Sequence, residues 1–363
     1  MNETYLTHNL TELQTSLRND TWTNRTAAGV DSCFVKPRLA DKVSICAVGT
    51  VISVTQLFNL IIFALWRGKE PYINLHVGLA LASLLAGLNI LAAVPLILFV
   101  EPTNAHAVLL HKVFGFCLGM YTNAAAMMAN FAISVDRWLS VEFAVEYRAT
   151  VTKRKTLFIA TVGVFGVAFL LATTGDTIFW EDITVDRCTL LVKLVSSGFA
   201  SEFTMFWVFN GQFCLPLLFL TQLRILMISA TYRLRRLHHR RQVALAHRNN
   251  MGSHGCIRNV VRADRPASRM GVVLVVWSSL WASMTVICGA LIARLPYIIL
   301  LYLPPAVKRF VSTEMWLAAG ITTLVTHFTS PVVYLLLWPD YRKTLFRLCL
   351  RLRSVVTPHA SIG

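Results

Sequence analysis

Few residues in this chain could do chemistry, and the strongest candidates are charges in apolar surroundings. The stretch "ANFAISVDRWLSVEF" (129–143) ends a long apolar run on an acid and a base, Asp136 and Arg137, with Trp138 beside them. Charge inside a membrane helix is expensive, so a pair at the very end of one needs a reason. Further on, "ALIARLPYIILLYLPP" carries Arg294 two residues before Pro296. His238, His239, His247 and His254 resemble a metal cluster only superficially. They lack acidic or cysteine partners at ligand spacing and sit among arginines that repel cations. No phosphate-cradling glycine loop or nucleophile elbow occurs, so neither an enzyme nor a metal or cofactor site is expected.

The elements that position these residues follow from composition. Of 363 residues, 55% are hydrophobic and 14% charged, against about a quarter charged in a typical soluble chain. A helix crosses a bilayer in about 20 apolar residues, because each residue adds about 1.5 Å and the hydrocarbon core is about 30 Å thick. Runs of that kind read as spans at Val43–Trp66, Ile73–Val100, Ala107–Val141, Thr156–Thr174, Phe203–Ala230, Met270–Leu303 and Trp316–Trp338. The fold class is therefore all-α, a seven-transmembrane helix bundle. Nothing alternates in ten-residue segments as a β-barrel would. No matched broken helices of the transporter kind are visible either.

Orientation follows from Lys and Arg. Arg67 and Lys69, the Arg148–Lys155 loop, the arginine-rich 231–269 segment and Arg342 to Arg353 share one side, expected to be cytoplasmic. Asp176, Glu181, Asp182 and Asp186 lie on the other. The net charge of +16 then reads as topology and attraction to anionic membrane lipids, not nucleic-acid binding.

An extracellular N-terminus agrees with Asn2, Asn9, Asn19 and Asn24, each opening an Asn-x-Thr glycosylation pattern in the 1–42 leader. No removable signal peptide is read there, so the first span is expected to direct insertion. Domain 43–338 is the membrane bundle, and 339–363 the cytoplasmic tail. Cys33 and Cys188 alone fall in the oxidising compartment and form the favoured disulfide. Cys117–Cys188 or no bridge remain alternatives.

Seven spans with these landmarks resemble the rhodopsin-like (class A) G-protein-coupled receptors, of an atypical or orphan type. Asn59 in "LFNLIIF", "LALAS" (79–83), "DRW" (136–138), Pro216, Pro296 and "SPVVY" (330–334) stand in the order and spacing of the family motifs. "DYRKTLFRLCLRLR" resembles the short amphipathic eighth helix, with Tyr341, Leu345, Leu348 and Leu352 on one stripe and Cys349 as a palmitoylation candidate. The resemblance implies that Asp136, Arg137, Trp138, Pro296, Pro331 and Tyr334 form the G-protein coupling and activation switch. In it Arg137 pairs with the neighbouring acid at rest and turns inward when a heterotrimeric G protein docks. The plainer reading is an interfacial ion pair kept solvated where the helix ends.

The departures from the family are informative. Ser83, Ala126, Thr326 and Ser330 stand where a sodium ion would be held, and no carboxylate remains. Lys112 replaces the usual cysteine at the outer tip of the third span. Arg294 replaces the aromatic switch, about 14 Å below Leu303 with no acid at its depth. It is either satisfied by Asn123, Thr326, His327 and carbonyls near Pro296, or meets the anionic group of a ligand. Ligand-pocket candidates are Lys112, Asn123, Trp207, Arg294, Tyr297 and His327. Gly119 stands where amine receptors carry Asp, so an unknown extracellular ligand of peptide, lipid or anionic kind is expected over an amine. Few tail phosphosites, Ser354 and Thr357, imply weak arrestin binding. The resulting expectation is a multi-pass plasma-membrane receptor. The alternative is a non-signalling or constitutively active seven-helix protein, such as a decoy, scavenger or receptor-modulating partner.

Overall fold

The structure is a computed structural model that describes residues 39–66, 70–99, 105–185, 192–194, 203–251, 267–304, 307 and 310–356. Among these, seven helices are long and apolar enough to cross a membrane: Val43–Ala64, Ile73–Ala93, Ala105–Glu142, Lys153–Ile178, Cys214–Arg235, Ser279–Tyr302 and Glu314–Leu337. They are called spans one to seven below. Asn2, Asn9, Asn19, Asn24, Cys33 and Cys188 lie outside the described residues. Cys117, the alternative partner of Cys188, is a free thiol.

Because lipid is as apolar as leucine, burial alone does not hold such helices together; close approach of small residues does. The core accordingly runs through Ala80, Ala82, Ala124, Ala125, Ala126 and Ala129, where spans two and three touch. Gly87 of span two marks the tightest approach to span one: a Cβ there would lie 2.6 Å from Ser53 Oγ and 2.9 Å from Ile52 Cγ2. Large apolar side chains such as Phe58, Phe158, Phe169, Phe219 and Ile299 point outward, as a lipid-facing surface requires. Two short strands between spans four and five, Ile183–Val185 (β1) and Val192–Leu194 (β2), pair antiparallel with Thr184 opposite Lys193.

Most span boundaries lie within a few residues of the apolar runs, since caps end what hydropathy begins. Thr152 caps span four by accepting from Lys155 N–H, and Ser312 caps span seven by accepting from Met315 N–H. Span five differs. The sequence reads as one continuous helix over Phe203–Ala230, but the structure interrupts it. A π-helical turn at Met205–Phe209 gives way to irregular backbone at 210–213, and regular helix starts only at Cys214.

The cause is local. Gly211 takes a φ of 69°, which a side chain would resist, and its backbone lies against Ala124 of span three. Pro216, which has no N–H, is accommodated in the first turn of the resumed helix. The irregular backbone remains satisfied: Asn210 N–H donates to Met205 O at 3.1 Å and Phe213 N–H to Trp207 O at 2.9 Å.

After span seven the chain turns at Trp338 into a further helix, Pro339–Val356. Tyr341 is buried and Leu345 and Leu348 are half-buried, whereas Arg342, Lys343, Arg347 and Cys349 are exposed. This helix thus has one apolar side and one basic side, and Leu352 lies where only its backbone is described.

Candidate functional site

Three clusters of buried polar side chains stand out among the described residues. The first surrounds Arg137 at the end of span three. Its guanidinium pairs with Asp136, with the Nε donating at 2.9 Å, and also donates to Ser279 Oγ of span six at 3.3 Å. The guanidinium carbon lies 4.1 Å from the centre of the Tyr72 ring. Asp136 also accepts from the hydroxyl of Tyr147, on the short helix Ala144–Thr150. Burial first, and then the charge of Asp136, pushes the Tyr147 phenol above its ordinary range. That keeps it protonated as a donor.

Arg137 is only 5% exposed and Asp136 8%. The sequence suggested that water at the helix end makes this pair tolerable. Instead the protein supplies the partners, through a loop helix, span six and an aromatic face. Trp138 points elsewhere: its indole donates to Glu142, which also receives Arg224 of span five at 2.6 Å. It ties spans three and five together beside the pair.

Tyr334 is fully buried, and its hydroxyl lies 2.6 Å from His76 Nδ1 on span two. The other ring nitrogen of His76 lies 3.4 Å from Ser283 Oγ. Ser279 and Ser283 are four residues apart on span six, so they share a face, one toward Arg137 and one toward His76. Spans six and seven, with Pro296 and Pro331, continue as helices through the proline.

Where the family would hold sodium, a neutral network stands. His327 Nδ1 lies 3.1 Å from Ser83 Oγ. Gln56 donates to the His327 carbonyl and, at 3.2 Å, to Ser330 Oγ. His327 therefore belongs to this network and not to the lining of the cavity described next.

That cavity, of about 180 Å³, is lined by Asn123, Asn210, Gln212, Arg294, Tyr297 and Thr323 among others. Arg294 is 3% exposed and donates to Asn123 Oδ1 at 2.8 Å. Three of the six expected pocket residues, Asn123, Arg294 and Tyr297, meet here. Lys112 is held elsewhere, donating to Trp180 O at 2.9 Å and lying 4.6 Å from the Trp180 ring centre. Trp207 donates to the Tyr302 hydroxyl.

Asn210 and Gln212 are lining residues that the sequence reading missed. In a continuous helix their direction would be set by the periodicity of that helix; with the break at Gly211, both line the cavity that Arg294 also lines. The signal that could have found them is the run Asn-Gly-Gln at 210–212, polar and turn-forming inside an apolar span.

Among known proteins, no family model matches the sequence and no curated protein matches it. The crystal structure of squid rhodopsin superimposes with a TM-score of 0.60 at 14% identity, covering 91% of this chain and 92% of that one. The chain thus has the rhodopsin-like seven-helix fold of G-protein-coupled receptors.

Proposed function

We propose that this protein is a plasma-membrane receptor that couples ligand occupancy of the bundle cavity to a heterotrimeric G protein at the Arg137 end. The observation that carries the reading is that one helix serves both clusters. Span six bears Arg294 in the cavity wall and Ser279 against Arg137. The fifteen-residue step from one to the other spans about 22 Å. A tilt or rotation of span six that answers to the cavity also draws Ser279 away from Arg137.

With that contact broken and the Asp136 pair opened, Arg137 is released toward the docking partner. The change is a shift between two packings of the same bundle, of the kind by which helix movement transmits binding. His76 holds Tyr334 in the resting arrangement, so Tyr334 changes partners in the same step.

In this reading the 1–42 leader lies outside the cell, carries glycans on Asn2, Asn9, Asn19 and Asn24, and is stapled through Cys33–Cys188. The basic side of Pro339–Val356 rests on anionic lipid, and Cys349, exposed on that helix, is the acylation point. The arginine-bearing continuation of span five to Met251 contributes to the G-protein contact.

A second reading, a seven-helix protein that does not signal, is favoured by the Arg224–Glu142 ion pair and the His76–Tyr334 contact, both of which hold the Arg137 end closed. The test is G-protein activation in cells without added ligand and with candidate ligands, comparing wild type and Arg137→Ala across G-protein classes. Signal that disappears in the variant supports the receptor. Silence in both, with normal surface expression, overturns it in favour of the second reading.

A further inference from the structure

Arg294 carries a positive charge at a depth where lipid offers no compensation, and among the described residues no carboxylate forms an ion pair with it. Its hydrogen-bond partner is the neutral amide of Asn123, and its Nε–H, fully enclosed, has no partner among the described residues. A buried guanidinium in this condition is costly until a counter-anion arrives. Two acceptors share the deficit: Asn210 Oδ1 and Gln212 Oε1 are enclosed and find no donor among the described residues, and Gln212 is only 1% exposed. All three side chains line one cavity.

We infer that this cavity binds a monocarboxylate bearing a nearby hydroxyl, with the carboxylate on Arg294 and the hydroxyl donating to Asn210 or Gln212. The inference rests on the receptor reading for its biological sense, and specifies the chemical class of the ligand. Each part of the ligand answers one deficit. A single cation is neutralised by a single negative charge. A phosphate monoester would leave about half to one further negative charge buried without a partner. A planar guanidinium edge suits a carboxylate, whose two oxygens accept side by side. An amine would meet Arg294 as a like charge. A plain fatty acid would leave both amide oxygens unsatisfied, a cost of about 1–3 kcal/mol for each. The volume suits a small head: about 150 Å³ takes a benzene ring, and this cavity is about 180 Å³. The shared chemistry is that of a free hydroxy acid or of the head of a hydroxylated fatty acid.

The full chain in zwitterionic nanodiscs, without G protein, is heated with 3-hydroxybutyrate, 3-hydroxytetradecanoate, 3-hydroxybutyramide or glycerol 3-phosphate. At a hundred times its dissociation constant, a binding hydroxy acid should raise the unfolding midpoint by several degrees, on the order of 3–8 °C. The amide and the phosphate should leave it unchanged. A rise with both acids identifies a free hydroxy acid as sufficient; a rise with the long acid alone identifies a lipid. No rise with either acid, or an equal rise with the amide, overturns the proposal.

Arg294→Met should lose the response. Should that variant fold poorly, Asn123→Asp decides the matter. It places an internal counter-anion on Arg294 and should raise the unliganded midpoint while weakening the acid response at least tenfold; a wild-type response in it overturns the proposal. Arg137→Ala should keep the midpoint rise. A rise without any G-protein activation defeats the signalling reading alone. Arg137-dependent signalling without a rise defeats this inference alone.

Discussion

Two arginines, Arg137 and Arg294, are buried to nearly the same degree in one bundle, and their surroundings could hardly differ more. Arg137 has a carboxylate, a serine hydroxyl and an aromatic face, and its carboxylate is itself held by Tyr147. Among the described residues Arg294 has one amide oxygen and an enclosed N–H without a partner. The first environment is complete within the chain and therefore stores a state, since every partner belongs to an element that can move. The second is incomplete among the described residues, and a buried polar group without a partner calls for a water, an ion or a ligand to complete it.

The comparison is broken most forcefully by removing the carboxylate of the complete site. Asp136→Ala leaves Arg137 buried without its counter-charge and is expected to cost about 3–5 kcal/mol. Thermal unfolding of the purified protein should show a large fall in midpoint, and an unchanged midpoint would mean that the pair is solvated after all.

The opposite sign is expected at the incomplete site. Replacing Arg294 and Asn123 together by Met and Leu removes a buried charge and its single partner, and should stabilise the protein by about 1–4 kcal/mol. A destabilised double variant would show that Arg294 is already satisfied and would remove the contrast.

The smallest effect sharpens the comparison from a third place. The neutral network of Ser83, His327, Gln56 and Ser330 offers no carboxylate to balance a metal cation. Exchanging sodium for choline at constant ionic strength should therefore leave both the unfolding midpoint and any signalling unchanged. A sodium-dependent shift in either would sink that expectation.

Much of the architecture was legible in the residue order, because the spans depend on quantities that are local in sequence. Apolar length decides what crosses lipid, and most spans lie close to the apolar runs of the sequence. The sites of Arg137, Arg294, Pro296 and Tyr334 could also be numbered in advance. Their partners could not. Tyr147 reaches Asp136 from the next helix, Ser279 reaches Arg137 across 142 residues of chain, and Asn123 meets Arg294 across 171.

His327 shows the same limit. From sequence it is a pocket candidate and a possible partner of Arg294, and only the packing of spans one, two and seven assigns it to Ser83 and Gln56. The break at Gly211 is an intermediate case, written in the residues as Asn-Gly-Gln but given its meaning by the approach of Ala124. Hydropathy and helix length are summed along the chain, so the sequence alone determined how many times this protein meets the membrane. Hydrogen bonds and charge compensation are settled between helices, so only the tertiary structure decided which buried arginine is satisfied and which awaits a partner.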